Sequence, residues 1–199
     1  LATANEAGIQ IHQFAAASLD LTVNGRSTQL AIATNYPWAG HIEVTVNTTP
    51  AEPWTLALRQ PGWCQDAQLA LNGAAIPAEM GEKGYLNLNR RWQPGDVLQL
   101  ALAMAPTFLA PHPRIDALRG CVALQRGPLI YCFESHDQPE GVDLDDVQVL
   151  TDEPLMVTAV PLFGGIEAIV VPGRVAQSVG AKPLYRRLDE AAEMSWAAV

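Results

Sequence analysis

Basic charge is scarce in this chain: 12 Lys and Arg stand against 21 Asp and Glu, a formal net charge of −9 at pH 7. Phosphate backbones are held by basic surfaces, so nucleic acid is excluded as a partner, and an anionic membrane for the same reason. No apolar run approaches the roughly 18 residues that read as a membrane-spanning helix. Cysteine is sparse too, with Cys64, Cys121 and Cys132 the three present. An odd, scattered set is no disulfide framework. A Cys121–Cys132 bridge across a hairpin is not expected, because no secretory signal accompanies it. The paired Cys-x-x-Cys spacing of structural zinc sites is missing, so no metal is expected on these cysteines with His112 or His136. Glycine-rich phosphate loops, a Ser/His/Asp set and a Gly-x-Ser-x-Gly elbow are absent. Helical periodicity is nearly absent, with only residues 188–194 offering a turn or two. The chain starts at Leu1 without a signal peptide, which favours the cytoplasm over secretion. It stops on Ala197-Ala198-Val199, an apolar run where natural termini are polar and frayed, and so reads as a piece of a longer protein.

What the chain does have is strand signal. Apolar residues make up 49%, enough for a full core. Ile9-Gln10-Ile11-His12-Gln13-Phe14 alternates. Leu19-Asp20-Leu21-Thr22-Val23 alternates into Asn24-Gly25, the strongest short hairpin signal, and residues 28–34 return. In His41-Ile42-Glu43-Val44-Thr45-Val46 the β-branched residues Ile42, Val44 and Val46 share a face. Residues 54–59 form a further strand, stopped by Pro61-Gly62. Residues 69–71 lead to a second Asn-Gly turn at Asn72-Gly73. Residues 85–88 and 97–102 follow, and residues 166–171 form a late strand after a turn at Phe163-Gly164-Gly165. Short strands with turn chemistry every 8–12 residues or so predict β-sandwiches. Pro106, Pro111 and Pro113 interrupt the pattern, placing a boundary near residues 106–113 and the next strand at Cys121. The expected fold is all-β, two antiparallel β-sandwich domains in tandem over residues 1–108 and 109–199.

Residues 119–134 read Arg-Gly-Cys-Val-Ala-Leu-Gln-Arg-Gly-Pro-Leu-Ile-Tyr-Cys-Phe-Glu, two apolar runs joined at Arg126-Gly127-Pro128. This predicts two core strands around a turn. The stretch closely resembles a signature of the bacterial β-L-arabinofuranosidase-type enzymes, glycoside hydrolase family 127. Asn35-Tyr36-Pro37-Trp38-Ala39-Gly40 resembles that family's Tyr-Pro-Trp-x-Gly turn. Leu58-Arg59-Gln60-Pro61-Gly62-Trp63 resembles its Leu-Arg-Ile-Pro-Gly-Trp motif, with Gln60 in place of an aliphatic residue. Leu71-Asn72-Gly73, then Gly84-Tyr85, Arg91-Trp92 and Gly95-Asp96, follow in the family order. The likeness spans most of residues 8–134 and is thin from about 140 onward.

The resemblance implies a parent with an N-terminal (α/α)6 barrel followed by two β-sandwiches, the second truncated here at its C-terminus. It implies retaining glycoside hydrolysis by a cysteine nucleophile in a zinc site of three cysteines and one glutamate. Those groups belong to the barrel and include an adjacent Cys-Cys pair, which this chain lacks. No catalytic residue and no metal ligand is therefore carried over, and no cofactor is expected in this piece. The expected role is that of a non-catalytic accessory region, partnered by its own catalytic barrel and, as a further option, by a second copy. Two alternatives stand beside it. One is a carbohydrate-binding module using an exposed tryptophan, with Trp38 and Trp63, each at a Pro/Gly turn, as the candidates. The other is a self-association module built on an unpaired sheet edge. Trp54 and Trp92 are expected in the core. Glu134, Asp137, Glu140, Asp143, Asp145 and Asp146 are read as a solvated acidic loop, and Arg119 and Arg126 as groups that pair with carboxylates or cap carbonyls, with duty at a domain interface as their expected use.

Overall fold

The computed structural model describes residues 1–77, 80–161, 165–177 and 195–198. They contain no α-helix, only strands and single 3-10 turns, and the fold is all-β. The helical turn expected at residues 188–194 and the Phe163-Gly164 part of the turn lie outside the described residues. Two compact units divide the chain: Leu1–Ala105 with Arg126–Leu129, and Pro106–Gln125 with Ile130–Val199.

The first unit is a sandwich of two sheets. Its strands are β1 (Ala2–Asn5), β2 (Gly8–Ile11), β3 (Ala17–Val23), β4 (Arg26–Thr34), β5 (His41–Thr48), β6 (Trp54–Arg59), β7 (Ala67–Leu71), β8 (Ala74–Ile76), β9 (Tyr85–Arg90) and β10 (Val97–Leu102). One sheet runs β1-β2-β6-β9 and the other β3-β4-β5-β10-β7-β8. Asn24-Gly25 and Asn72-Gly73 take positive φ at both positions, the backbone that two-residue hairpins demand. The expectation of antiparallel pairing holds with one exception: β2 and β6 run parallel.

Strand alternation sets the core. Ile9, Ile11, Leu56, Leu58 and Leu86 point inward from the four-stranded sheet, and Leu30, Ile32, Val44, Val46, Leu98 and Leu100 from the other. Each such side chain contributes about 1.5–3 kcal/mol by leaving water. Trp54 and Trp92 close one end, both about 1% exposed, with ring centroids 5.5 Å apart. Their indole N–H groups are satisfied: Trp54 Nε1 donates to Thr49 Oγ1 at 2.8 Å, and Trp92 Nε1 to the Trp54 carbonyl at 3.1 Å.

The second unit is built from smaller sheets. β11 (Pro106–Leu109), β12 (Ala123–Arg126) and β13 (Leu129–Tyr131) form one. β14 (Val147–Val149), β17 (Gly173–Gln177) and β18 (Ser195–Ala198) form another, and β15 (Met156–Val160) pairs with β16 (Ile166–Val170). β12 and β13 do flank a turn at Gly127, as expected, but they are not core strands. Among the described residues of this unit, Leu124 alone is a buried hydrophobic, while Ile130 and Phe133 are exposed. The prolines also misled: Pro106 opens β11, where a missing N–H costs no ladder bond, so a strand precedes Cys121.

Candidate functional site

The two tryptophan candidates sit on turns that meet through one residue, Tyr36. In the first turn Trp38 N–H and Ala39 N–H donate to the Asn35 carbonyl at 2.9 and 3.2 Å, and the Tyr36–Pro37 peptide is cis. Gly40 closes the turn because its backbone lies against β10: a Cβ there would stand 2.1 Å from the Leu102 carbonyl oxygen, and Leu102 N–H donates to the Gly40 carbonyl. Arg126 Nη1 donates to the Trp38 carbonyl at 3.2 Å, which is the carbonyl-capping role expected of it. Arg119 instead pairs with Asp116 at 2.6 Å on the surface. With its backbone so held, Trp38 is 57% exposed and offers an indole face to solvent.

Trp63 differs. Its turn is tied by Cys64 N–H to the Pro61 carbonyl at 3.0 Å and by Gln60 Nε2 to the Cys64 carbonyl at 2.9 Å. Gln60, the departure from the family's aliphatic residue, thus braces the turn. Trp63 is half-buried against the core and hydrogen-bonded to the Tyr36 hydroxyl. Burial raises the Tyr36 phenol above its ordinary value, against the opposing pull of Trp63 and Arg59. Phe14 packs edge-on to Tyr36 at 5.8 Å.

Among the described residues, the thiols do not come together with acids to make a metal or nucleophile site. Cys64 is buried and donates to the Asp66 carbonyl at 3.0 Å, whereas Cys121 and Cys132 are exposed; all three are free. Burial pushes the Cys64 thiol up, against backbone hydrogen bonds at Ala103 and Asp66, which is the reverse of what a thiolate needs. The cluster that does form among the described residues is Glu134, His136 and Asp137. Its three members are exposed and already bonded to one another, His136 Nδ1 to Glu134 at 3.3 Å and Nε2 to Asp137 at 3.1 Å. A zinc site of three cysteines and a glutamate does not fit these groups. Asp143 accepts the Asp145 N–H at 3.1 Å, an ordinary Asx turn at the start of a 3-10 turn.

Sequence reasoning missed a cleft of about 720 Å³ on the four-stranded sheet, lined in part by Gln10, Thr55, Ala57, Asn87 and Asn89 and in part by apolar residues such as Ile76 and Pro77. Alternation marks each of the first five as outward-facing; only the register of β2, β6 and β9 makes them neighbours.

Comparison with known proteins accounts for these shared turns. Residues 8–104 match the family model for the β-L-arabinofuranosidase, GH127 middle domain, and residues 106–164 that for the glycoside hydrolase family 127 C-terminal domain. A non-reducing end β-L-arabinofuranosidase of Bifidobacterium longum subsp. longum is 33% identical over 195 residues, covering 90% of this chain and 28% of the relative. The crystal structure of a GH127 β-L-arabinofuranosidase from Geobacillus stearothermophilus T6 superposes with a TM-score of 0.87 at 31% identity, covering 100% of this chain and 31% of that one. A GH127 β-arabinofuranosidase structure at 23% identity shares the fold with a TM-score of 0.78. The chain spans about a third of the length of these relatives. With both domain models matched in order, the chain belongs to glycoside hydrolase family 127, as a region outside its catalytic barrel.

Proposed function

We propose that this chain is a non-catalytic accessory region of a glycoside hydrolase acting on β-L-arabinofuranosides. Its sandwich braces the catalytic domain of the same polypeptide, and the region takes no cofactor of its own. The observation that carries this reading is the confinement of the family likeness to the middle and C-terminal domains, over about a third of the relatives' length. The local chemistry agrees with it. Glu134 and Asp137 are exposed and bonded to His136, Asp143 caps a turn, and the buried thiol is held protonated. Exposed Ile130, Phe133, Met156, Val157 and Val170 in the second unit give apolar surface for docking on the rest of the polypeptide. The test is direct. The 199-residue chain is expected to release no aglycone from an aryl β-L-arabinofuranoside, with or without added zinc. Turnover above blank that copurifies with the chain sinks the reading.

The exposure of Trp38 favours a second role, contact with a sugar ring. Titration with arabinan fragments is expected to quench tryptophan fluorescence saturably in the parent chain and not in Trp38→Ala. Equal quenching in both removes Trp38 from the account.

A further inference from the structure

The four-stranded sheet carries a cleft whose polar lining is built of amides and a hydroxyl. The chain carries 12 basic and 21 acidic side chains, yet among the described residues none that lines the 720 Å³ cleft is ionisable. Register places the lining residues in rows: Gly8, Thr55 and Asn89 across β2, β6 and β9, then Gln10, Ala57 and Asn87. Gly8 and Ala57 put almost no bulk between the amides and so form a low floor. Gly8 has to stay bare, because at φ +151° a Cβ would lie 1.9 Å from the Thr55 carbonyl oxygen.

The amides are available and positioned. Asn89 Nδ2 donates to Thr55 Oγ1 at 2.8 Å, which fixes that pair. Gln10, Asn87 and Asn89 are exposed on the strands that carry them. The same outward rows continue to His12 and Tyr85, whose Nδ1 and hydroxyl lie 2.6 Å apart; His12 Nε2 lies 2.8 Å from Thr3 Oγ1. That relay stiffens the end of the face. Arg59, the next outward residue along β6, lies by the Tyr36 hydroxyl and is not part of the lining.

We propose that this cleft, formed by Gln10, Thr55, Asn87 and Asn89 over Gly8 and Ala57, binds a neutral oligosaccharide at a site distinct from Trp38. A side-chain amide offers a donor and an acceptor a few ångströms apart, matching vicinal sugar hydroxyls, which are both donors and acceptors. A phosphorylated or uronic ligand finds no cation among the described residues of the lining. Along β6, which crosses the middle of the cleft, an extended peptide finds no free backbone edge, because that strand is paired with β2 and with β9.

Titration of the ¹⁵N-labelled chain with neutral arabino- and cello-oligosaccharides, and with oligogalacturonate as the anionic control, tests this. Saturable shifts are expected at the side-chain amides of Gln10, Asn87 and Asn89 with a neutral oligosaccharide and not with oligogalacturonate. Asn89→Ala and the near-isosteric Gln10→Glu are each expected to weaken binding about tenfold or more with the remaining backbone spectrum unchanged. The proposal is overturned if no neutral oligosaccharide shifts these amides at about 10 mM, if both cleft variants bind like the parent, or if oligogalacturonate binds equally well. Binding that maps to the Trp38 indole instead overturns it in favour of the turn. None of these outcomes bears on whether the accessory region is inactive.

Discussion

Replacing Trp92 by alanine is expected to cost the first unit about 3–5 kcal/mol, the range for removing a fully buried aromatic side chain. Three contributions vanish together. The indole is about 1% exposed, so its full area returns to water or leaves a cavity between the sheets. Its ring contact with Trp54 at 5.5 Å is lost. Its N–H no longer satisfies the Trp54 carbonyl, an acceptor at the start of β6. A fourth effect follows through Arg90, whose guanidinium lies 5.4 Å from the centre of the Trp92 ring and 3.7 Å from Asp96. Thermal unfolding followed by far-ultraviolet circular dichroism reads the result. One kcal/mol is worth about 4–8 °C in a domain of this size, so the midpoint of the first unit is expected to fall by about 12 °C or more. Trp38→Ala is the control, expected within about 0.5 kcal/mol of the parent, because its side chain faces water and its bonded groups are backbone. A Trp92→Ala melt within a few degrees of the parent means that the core does not rest on this pair.

That contrast shows how much the sequence alone can carry. Trp54 and Trp92 were readable as core because each stands beside alternating strands or a Gly-Asp turn. Trp38 and Trp63 were not separable, since both follow a proline or glycine in a turn. Their difference lies in a long-range contact: Trp63 reaches the Tyr36 hydroxyl and packs on the core, and nothing local encodes that. Strands with alternation and an Asn-Gly turn were legible, β3, β4, β5, β7 and β10 among them. β1 was not, because it is a sheet-edge strand with little apolar alternation to read. The parallel β2–β6 pairing was invisible for another reason: no turn connects the two strands, so only the completed sheet brings Gln10 beside Ala57. In the second unit alternation was present at residues 166–171, yet the hairpin of β15 and β16 leaves Met156, Val157 and Val170 exposed. Periodicity tells which residues share a face and is silent on what covers that face.

Asp96 supplies the second large effect, and it depends on acid. The residue is 6% exposed, at the turn into β10. Its carboxylate accepts from Asn72 Nδ2 at 2.8 Å and from the Gln93 N–H at 2.8 Å, with Arg90 at 3.7 Å. These partners come from the β7–β8 hairpin, the Pro94-Gly95 turn and the end of β9, so one side chain joins elements of both sheets. Burial alone would raise the carboxyl. The hydrogen bonds from Asn72 and Gln93 and the charge of Arg90 outweigh it and hold Asp96 below the usual carboxylate range. Asp96→Asn keeps the size but turns an NH₂ toward a donor, and is expected to cost about 2–3 kcal/mol at pH 7. Arg90 adds little to that figure, since its side chain is a third exposed and screened. A carboxyl depressed in the folded state binds its proton more readily once unfolded. Its stabilisation is therefore complete above the unfolded value, near 3.9, and is lost as pH falls through the lower folded value. Urea midpoints of parent and Asp96→Asn are thus expected to differ clearly at pH 7 and to converge as pH falls below about 4. A gap that is the same at pH 7 and at pH 3 would show that the carboxylate charge plays no part in holding the turn to the sheets.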